Sequence, residues 1–399
     1  MIKADKEGQR KAPILRFKGF TDAWEQRQLK EVADIVGGGT PSTDFLEYWN
    51  GNINWFTPNE INSQIYFSES KRKISNLGLK KSSAKLLPAN RSILFTSRAT
   101  IGEMGILTQD ATTNQGFQSL VLHNEVIPYF IFSMKSALKK QAIKKASGST
   151  FLEISKREVE KLKIIIPSEK EQKKVSMLFK SIDNLITLYD RKKELLKKFQ
   201  QGFSDILFKK NSKECVSLGD CFYFNKGKNI GNKDLINNGK YYAIVYGELY
   251  TTYNYVISKV SSKTSVKGFE GRKNDLLFPS SSTVPFGTAT CSALKVDNIE
   301  LGNDIIIARP KDTNKLDSAF ISYQINSKRK ILYPIISGTT ITHMYSKDLS
   351  KIKIWLPSIV TQKYISNILQ RIDRLNLLVD KKINILKAIK KELLNTMFI

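Results

Sequence analysis

The feature that most constrains this chain is an internal repeat. With a shift of 190 residues and no gap, segment 147–208 aligns with segment 337–398, and 20 of the 62 aligned positions are identical. Identical pairs occur along the whole alignment: Pro167 with Pro357, Gln172 with Gln362, Asp183 with Asp373 and Leu196 with Leu386. A repeat of this length predicts a duplicated domain and helix, and therefore a two-fold pseudo-symmetry within one polypeptide.

Charge is the second constraint. The 399-residue chain has 64 Lys and Arg against 37 Asp and Glu, which gives a formal net charge of +27. This excess divides almost evenly between residues 1–210 and 211–399, so it is not a detachable basic tail. Because polyanions are the natural partners of such a surface, we expect both halves to bind phosphate groups. A merely lysine-rich composition that aids solubility is the alternative interpretation.

The apolar runs are too short for a membrane protein. No run approaches the 18 or so apolar residues that a membrane-spanning helix needs, and the first 11 residues are polar with no apolar segment of a signal peptide after them. The 3 cysteines lack the paired spacing of a disulfide framework or a zinc site. We therefore expect a cytoplasmic protein.

The pattern of apolar residues predicts an α+β fold in which two strand-rich domains are separated by two long helices. Short alternating runs broken by Gly, Asn and Pro are typical of strands. They fall at Glu31–Val36, Asn52–Thr57, Ser92–Thr96, Gly105–Thr108 and Gln118–His123. A helix is predicted over Pro128–Lys145. The predicted segments are a disordered N-terminus (1–12), a first domain (13–150), a central helix (151–210), a second domain (211–345) and a C-terminal helix (346–399).

Each of the two long helices has an apolar stripe that alternates steps of three and four. The first stripe is Val175, Leu178, Ile182, Leu185, Tyr189, Leu196, Phe199, Phe203 and Ile206, with a break at Lys192. The second is Ile365, Ile368, Ile372, Leu375, Val379, Leu386, Ile389 and Leu393, with its break at Lys382. This period predicts that the two helices pack on each other as a coiled coil. At about 60 Å each, they would form a rod able to hold two domains apart. Packing of each helix on its own domain is the alternative.

Motifs of catalysis are absent from the sequence. It contains no phosphate-binding Walker motif, no His-Glu-x-x-His and no Gly-x-Ser-x-Gly. His123 and His343 are the only histidines, and His123 reads as a strand-edge or core residue. The pairs Glu69 with Lys71 and Glu171 with Lys173 have the Glu-x-Lys spacing of some nucleases but no partner aspartate upstream; we interpret the second as a solvated helix face. We predict no catalytic residue, no metal site and no cofactor in this chain.

Four phrases of the sequence resemble the specificity subunits of type I restriction-modification systems. They are Leu15–Glu25 (LRFKGFTDAWE), Tyr48–Gly51 (YWNG) leading to Trp55–Pro58 (WFTP), Ser97–Gly102 (SRATIG) and Asn114–Phe117 (NQGF). The resemblance covers essentially the whole chain, and the order of the phrases together with the repeat is its most specific part. It implies that the two strand-rich domains are target-recognition domains, that the long helices pack antiparallel, and that each domain reads one half of a bipartite, asymmetric DNA target.

Candidate DNA contacts follow from residue type. Lys and Arg bind phosphates, whereas forked or planar donors and acceptors read base edges. In the first domain the candidates are Lys71 and Lys73 for phosphate, and Arg98, Asn114 and Gln115 for bases. In the second domain they are Lys263 and Arg272 for phosphate, and Lys240, Tyr246, Ser281, Ser282 and Thr283 for bases. Each of these loops could equally be a structural turn.

The resemblance also implies that the chemistry belongs to partner chains. These would be two modification subunits, which use S-adenosylmethionine to methylate adenine, and restriction subunits, which use ATP and Mg²⁺. We expect the modification subunits to dock on the outward faces of the helices, near Lys180 and Arg371. Two other functions stay open: a duplicated metal-dependent nucleic-acid enzyme, and a non-catalytic coiled-coil adaptor that does not touch DNA.

Overall fold

A computed structural model describes residues 12–148, 152–209 and 215–398. The predicted disordered segment 1–12 lies, except for its last residue, outside the described residues. The chain forms two compact units. Unit 1 consists of Met1–Leu188 together with Ile383–Ile399, and unit 2 consists of Tyr189–Lys382.

Unit 1 contains ten strands and four short helices among its described residues. Its strands are β1 (Glu25–Gln28), β2 (Ala33–Gly37), β3 (Trp49–Phe56), β4 (Tyr66–Phe67), β5 (Arg72–Ile74), β6 (Ser92–Phe95), β7 (Met104–Leu107), β8 (Ala111–Thr113), β9 (Gln118–Leu122) and β10 (Lys163–Ile166). Its short helices are α1 (Asn76–Lys80), α2 (Pro128–Ser133), α3 (Lys135–Lys145) and α4 (Lys156–Glu160). The predicted strands are confirmed to within a few residues, whereas the predicted helix over Pro128–Lys145 is two helices that meet at Met134.

Unit 2 repeats this inventory with a few additions. Its strands are β11 (Cys215–Ser217), β12 (Phe222–Lys226), β13 (Tyr241–Ile244), β14 (Val256–Ile257), β15 (Lys263–Thr264), β16 (Phe269–Gly271), β17 (Leu276–Pro279), β18 (Ser281–Ser282), β19 (Ser292–Leu294), β20 (Ile299–Leu301), β21 (Ile305–Pro310), β22 (Thr342–His343) and β23 (Lys353–Trp355). Its short helices are α6 (Leu218–Cys221), α7 (Glu248–Thr251), α8 (Ser318–Ser327) and α9 (Ser346–Leu349). The long helices are α5 (Glu169–Lys209) and α10 (Ile359–Met397), and each contributes to both units.

The two units have the same sheet topology. Unit 1 has a five-stranded sheet of order β2-β9-β6-β7-β4 and a three-stranded sheet of order β5-β3-β8. Unit 2 has β12-β21-β17-β19-β14 and β15-β13-β20-β16. Taken in chain order, each strand of the two unit 1 sheets has a counterpart in unit 2, where β16 is an additional edge strand of the smaller sheet. Even the parallel pairs β3 with β8 and β13 with β20 agree. The duplication predicted from the helices therefore extends through both strand-rich domains.

The five-stranded sheets are buried on both faces, and strand alternation divides their side chains. In β6, Ile93 and Phe95 face the core beneath α2, while Leu94 belongs to a second core with Phe56 and Phe117. In β17, every side chain from Leu276 to Pro279 is likewise buried. A strand buried on both faces needs a continuous apolar run rather than an alternating one, which explains why these strands are so apolar.

A buried glutamine fixes the start of each long helix. Gln172 Nε2 donates to the Pro167 carbonyl at 3.0 Å and, at 3.4 Å, to the carbonyl of Glu125, and its Oε1 accepts from Ile127 N–H at 3.0 Å. Gln362, 190 residues later, makes the same three bonds at the equivalent positions: to the Pro357 and Lys315 carbonyls and from Asp317 N–H. The identity of the two glutamines in the repeat thus reflects a hydrogen-bond network that any shorter or apolar side chain would leave unsatisfied.

Within each unit the two long helices run antiparallel, and an aspartate lies between them, which is buried in unit 1 and half-buried in unit 2. In unit 1, Asp183 of α5 accepts from Tyr129 Oη of α2 at 2.6 Å and from Lys390 Nζ of α10 at 2.6 and 2.7 Å. This arrangement links the strand-rich domain to both helices.

In unit 2, Asp373 of α10 takes the equivalent place. It accepts from Tyr323 Oη of α8 and, at 2.7 Å, from Gln200 Nε2 of α5. Lys193 of α5 and Asp380 of α10 form an ion pair of 2.5 Å in the same unit. The antiparallel direction follows from these pairs, because residue numbers rise along one helix as they fall along the other.

The predicted coiled-coil period is confirmed. The seam of each helix consists of two rows of residues that each repeat every seven positions, and the sequence placed one of these rows wrongly. The row that includes Val175, Ile182 and Leu196 is buried or half-buried as predicted. The second row lies one residue later than predicted in every heptad. It consists of Phe179, Ile186, Lys193, Gln200 and Leu207 on α5, and of Leu369, Asn376, Ile383, Lys390 and Met397 on α10. The prediction followed hydrophobicity, and the polar members of this row have hydrogen-bond partners inside the helix pair.

The residues that the sequence wrongly assigned to this row are exposed to solvent. Leu185, Phe199, Ile206, Leu375 and Ile389, all predicted to lie in the seam, are 43% to 73% exposed. Polar side chains in the seam restrict the register in which two helices can pair, since a shifted register would leave buried groups unpaired.

The two aspartates should respond differently to loss of their helix partner. We expect Lys390→Met to lower the free energy of unfolding by about 3 kcal/mol or more, because it leaves the Asp183 carboxylate buried without a cation. The matched control is Gln200→Met, which removes a neutral donor from Asp373 and should cost about 1 kcal/mol. Urea unfolding followed by circular dichroism measures both values, and equal losses for the two variants would contradict this assignment.

Candidate nucleic-acid interface

Three consecutive basic residues lie on an edge strand of the first domain. Arg72 and Lys73 lie in β5, which is an edge strand of the three-stranded sheet, and Lys71 directly precedes it. The backbone N–H of Lys71 donates to Glu60 Oε2 at 2.7 Å, which leaves its ammonium group in solvent. The guanidinium of Arg72 lies 3.8 Å from the ring centroid of Trp49. Sequence analysis missed Arg72, although Trp49 and Trp55 in the quoted phrases offered aromatic rings on which a nearby cation could stack.

The equivalent edge of the second domain combines cations with tyrosines. Lys263 lies on β15, the counterpart of β5, and its Nζ is 5.2 Å from the ring centroid of Tyr242. On the neighbouring ring of Tyr241, Lys240 Nζ lies at 5.4 Å and Lys267 Nζ at 3.9 Å. Tyr241 and Tyr242 are consecutive residues of β13, so their side chains lie on opposite faces of the sheet. The structure therefore places the predicted residues Lys240 and Lys263 at one edge of the sheet but beside different faces, and it adds two aromatic rings and a third cation.

A group of loops assembles around Arg98. Ser97 N–H donates to the Gly116 carbonyl at 2.7 Å, and its own carbonyl accepts from Ile154 N–H at 3.1 Å. These bonds gather Arg98, the 114–116 loop and Glu153 at one end of the domain. Arg98 Nε lies 2.8 Å from Glu153 Oε1, and the guanidinium side chain is still 53% exposed.

The amides of the 114–116 loop differ in accessibility. Asn114 is half-buried, and its Oδ1 accepts from Gly116 N–H at 2.9 Å. Gln115 is exposed, and its Oε1 accepts from Thr40 Oγ1 at 2.6 Å. Thr40 follows a glycine-rich turn in which a Cβ on Gly38 would lie 2.0 Å from the Asn114 carbonyl oxygen. That turn packs against the loop, and it holds the exposed amide of Gln115 in place.

Ser281 and Ser282 require a correction. Both lie in β18, which pairs with β22, and they are 8% and 1% exposed. The hydroxyl of Ser282 donates to the Val284 carbonyl at 3.1 Å and accepts from Val284 N–H at 3.0 Å. Ser281 and Ser282 thus belong to a buried strand pair, and the hydroxyl of Ser282 fixes the turn that follows it. Thr283, the third predicted residue of this loop, is exposed.

The same loop position carries different chemistry in the two domains. The bridge between Arg98 and Glu153 in unit 1 corresponds to the pairing of Ser281 with His343 in unit 2. An exposed guanidinium in one domain is thus replaced by a buried hydroxyl in the other.

Two further candidates lie apart from the basic edge of the second domain. Tyr246 is half-buried, packs on the core with its ring 6.4 Å from that of Tyr250, and has its pKa raised by burial. Arg272 is exposed and follows β16, which is the opposite edge of the sheet from β15. Lys263 and Arg272 therefore do not form one cluster.

The predicted partner-binding residues are exposed on the long helices. Lys180 lies on α5 in unit 1, with Nζ 5.6 Å from the ring centroid of Tyr66, and Arg371 lies on α10 in unit 2. Each helix also exposes apolar side chains that come in pairs related by the 190-residue shift: Leu185 with Leu375, Leu188 with Leu378, Leu195 with Ile385 and Phe199 with Ile389. Hydropathy assigned half of these to the seam, and only packing revealed them as surface.

Four of these exposed residues belong to each unit. Unit 1 has Leu185, Leu188, Ile385 and Ile389, and unit 2 has Leu195, Phe199, Leu375 and Leu378. We call these sets the unit 1 and unit 2 apolar patches.

The side chains that the sequence offers for catalysis make structural contacts instead. Glu171 is not on a solvated face as predicted: it is buried and receives two hydrogen bonds of 2.7 Å from the guanidinium of Arg16. His123 Nε2 lies 3.6 Å from Asp34 Oδ1 at the end of β9. In the described ranges no group of three His, Cys, Asp or Glu side chains is placed to hold a metal ion. Over the same residues, no helix is both long and apolar enough to cross a membrane.

One family profile matches both halves of the chain. It is described as the type I restriction modification DNA specificity domain, and it matches residues 21–198 and again residues 211–388. The chain belongs to this family. Its two specificity domains are the two copies that the repeat and the strand order define.

Individual relatives agree with the family. The MjaIX specificity subunit of Methanocaldococcus jannaschii is 30% identical over 236 residues, which is 53% of this chain and 54% of the relative. The chain thus spans about half the length of that relative. A putative MjaX specificity subunit from the same organism is 25% identical over 422 residues and matches 93% of this chain and 92% of its own length. A crystal structure of a type I system S subunit from M. genitalium has a TM-score of 0.64 at 15% identity, over 97% of this chain and 99% of that one, and so has the same fold.

Proposed function

We propose that this chain is the non-catalytic, DNA-recognition subunit of a type I restriction-modification complex, and that it reads a bipartite, asymmetric target with one half-site per specificity domain. The observation that carries this proposal is the combination of one strand topology with two different surfaces. Arg98 in the first domain stands where Ser281 stands in the second, and the edge strands carry Arg72 on Trp49 in one domain and Lys263 on Tyr242 in the other. Two domains with the same strand topology and different surface residues are what the recognition of two half-sites of different sequence requires.

Charge supports DNA as the ligand. A net charge of +27 with both halves basic favours a polyanion, and backbone phosphates would meet the cations of the two edge strands. We assign phosphate contacts to Lys71, Lys73, Lys263 and Arg272. Base contacts are assigned to Arg98 and Gln115, with Asn114 beside them, in the first domain, and to Lys240 and Thr283 in the second. Burial of Ser281, Ser282 and the core-packed ring of Tyr246 removes these three from the proposed contacts.

The two apolar patches support docking of two copies of one partner. Because the unit 1 and unit 2 patches consist of equivalent residues, one partner surface can fit both. Exposed apolar clusters of this kind mark protein interfaces. We assign them to two modification subunits that bind S-adenosylmethionine, beside Lys180 and Arg371. Restriction subunits that use ATP and Mg²⁺ complete the complex, which acts in the cytoplasm as a defence against phage.

Arg98 and Lys71 should separate base reading from phosphate binding. We expect Arg98→Ala to cost about 1–3 kcal/mol on the cognate sequence and to relax one base position, because a forked donor is lost. Lys71→Ala should weaken binding to all sequences alike and reduce the salt slope by about one unit. Fluorescence anisotropy on cognate and scrambled duplexes, across a range of salt, measures both effects. Equal losses on every sequence for both variants would refute the distinction.

Each apolar patch should hold one modification subunit. Leu188→Glu in unit 1 and Leu378→Glu in unit 2 place a charge in equivalent patches, so each variant is expected to bind one modification subunit in place of two. Ile236→Glu, an equally exposed apolar residue of the second domain, is the control and should bind two. Native mass spectrometry of the co-purified complex counts the subunits, and full occupancy in all three variants would place the docking surface elsewhere.

The target itself can be mapped in cells. We expect that co-expression of the chain with its modification subunit in a methylation-free host yields N6-methyladenine at a split motif, which disappears when the chain is omitted. Single-molecule sequencing of the genome provides the measurement. Absence of a motif despite a confirmed complex would contradict DNA reading and favour the adaptor, and Mg²⁺-dependent cleavage of DNA by the purified chain alone would favour the enzyme.

A further inference from the structure

The internal repeat allows one buried site to be compared with its own copy. Asp183 in unit 1 and Asp373 in unit 2 are equivalent residues, and each accepts a tyrosine hydroxyl from its strand-rich domain. Lys390 Nζ binds both oxygens of Asp183, at 2.6 and 2.7 Å. The residue equivalent to Lys390 is Gln200, so the amide of a neutral side chain faces Asp373 instead.

Asp373 consequently lacks a counter-ion. Within the described part of the chain, none of the ion pairs includes Asp373, and its hydrogen-bond donors are the neutral groups of Tyr323 and Gln200. Burial raises the pKa of the Asp373 carboxyl, although both hydrogen bonds act in the opposite direction. Asp373 is half-buried, and a carboxylate that is partly removed from water without a cation is costly, so a cation that reached it would be held.

A cleft in unit 2 leads to this carboxylate. Its volume is about 560 Å³, far more than a single water molecule requires. The cleft is lined by three carboxylates and one ammonium group, those of Asp205, Asp373, Asp380 and Lys197, and by the amides of Gln200 and Asn376 among other side chains. The Oδ1 atom of Asn376 is buried there and accepts no hydrogen bond, while its amide nitrogen donates to Gln200 Oε1 at 3.3 Å. The cleft thus presents the Asp373 carboxylate, which has no counter-ion, and an ammonium group, which donates three hydrogen bonds, can pair with it.

A second carboxylate indicates the kind of molecule that fits. Asp205 is exposed on the wall of the same cleft, on the α5 segment that carries Gln200. One ammonium group can bind at Asp373 while another, further along an alkyl chain, lies near Asp205. In a chain of net charge +27, a polycation is repelled by the surface as a whole, so only a local acidic site could retain one.

We propose that the unit 2 cleft binds an aliphatic polyamine, whose terminal ammonium pairs with Asp373 beside the Gln200 amide, as Lys390 Nζ pairs with Asp183. Bound polyamine completes in unit 2 the ion pair that unit 1 makes from its own sequence. It therefore stabilises the helix pair of unit 2 in proportion to its free concentration, as any ligand specific for the folded state does. This site is separate from the proposed DNA contacts and apolar patches, so it stands independently of the proposed function.

The experiment titrates the full chain with spermidine by isothermal calorimetry and follows its thermal unfolding in parallel. We expect one saturable site and a rise in melting temperature. Gln200→Lys supplies the missing ammonium from within the chain, as unit 1 does, so this variant should keep its fold, melt at or above the wild-type temperature, and bind spermidine at least about tenfold more weakly. Asp373→Asn should weaken binding to a similar extent.

The matched control is Glu194→Gln. Glu194 is an exposed carboxylate on the same helix, paired with Lys198, and its removal changes the net charge as Asp373→Asn does without touching the cleft. Glu194→Gln should bind spermidine as the wild type does. The proposal is overturned if the wild type shows no saturable binding, if Gln200→Lys binds with unchanged affinity, or if the control loses as much affinity as Asp373→Asn.

Discussion

A carboxylate between two helices, buried in unit 1 and half-buried in unit 2, is the interaction on which each unit depends. In unit 1, Asp183 joins Tyr129 of the strand-rich domain, its own helix and Lys390 of the opposite helix. Because a buried charge is expensive unless every partner is in place, this contact permits one register of the helix pair and one position of the domain against it. The hydrophobic residues of the seam provide most of the attraction, but they would tolerate other registers.

Duplication preserved this framework and let the rest diverge. The aspartates, the proline–glutamine network at the start of each long helix and the order of the strands recur in both units. The tyrosines that reach the aspartates do not align: Tyr323 corresponds to Ser133 and lies one helical turn beyond the counterpart of Tyr129. Two sequence solutions thus satisfy one geometric requirement, which is a hydroxyl donor at this carboxylate.

Divergence is greatest where the domains face solvent. Surface loops carry few packing constraints, so an exposed Arg98 in one copy and a buried Ser281 in the other cost the framework nothing. The apolar patches behave differently, since their exposed residues remain apolar in both copies. The residues proposed to contact DNA therefore differ between the two copies. The residues of the proposed docking sites remain apolar in both copies.

The sequence predicted the strands of the first domain and the period of the long helices because both follow from local patterns. It did not predict the correct face of the helices. Hydropathy favoured Leu185 and Phe199, whereas the seam contains Ile186 and Gln200, one residue later. A polar residue is stable in the seam only when the opposite helix provides a hydrogen-bond or ion-pair partner. Those partners lie about 190 residues away in the sequence. Arg72, Tyr241 and Lys267 were missed for the same reason, since stacking depends on neighbouring strands.

By itself, the sequence determined the duplication, the basic character of both halves and the resemblance to specificity subunits, because repeats, charge and phrases are properties of the linear chain. Only the tertiary structure decided which cations share an edge, which serines are buried and which aspartate lacks a counter-ion. Such properties depend on what lies opposite a side chain after folding. Asp183 and Asp373 are identical in the repeat, and their difference resides in Lys390 and Gln200, which only the paired helices bring to them.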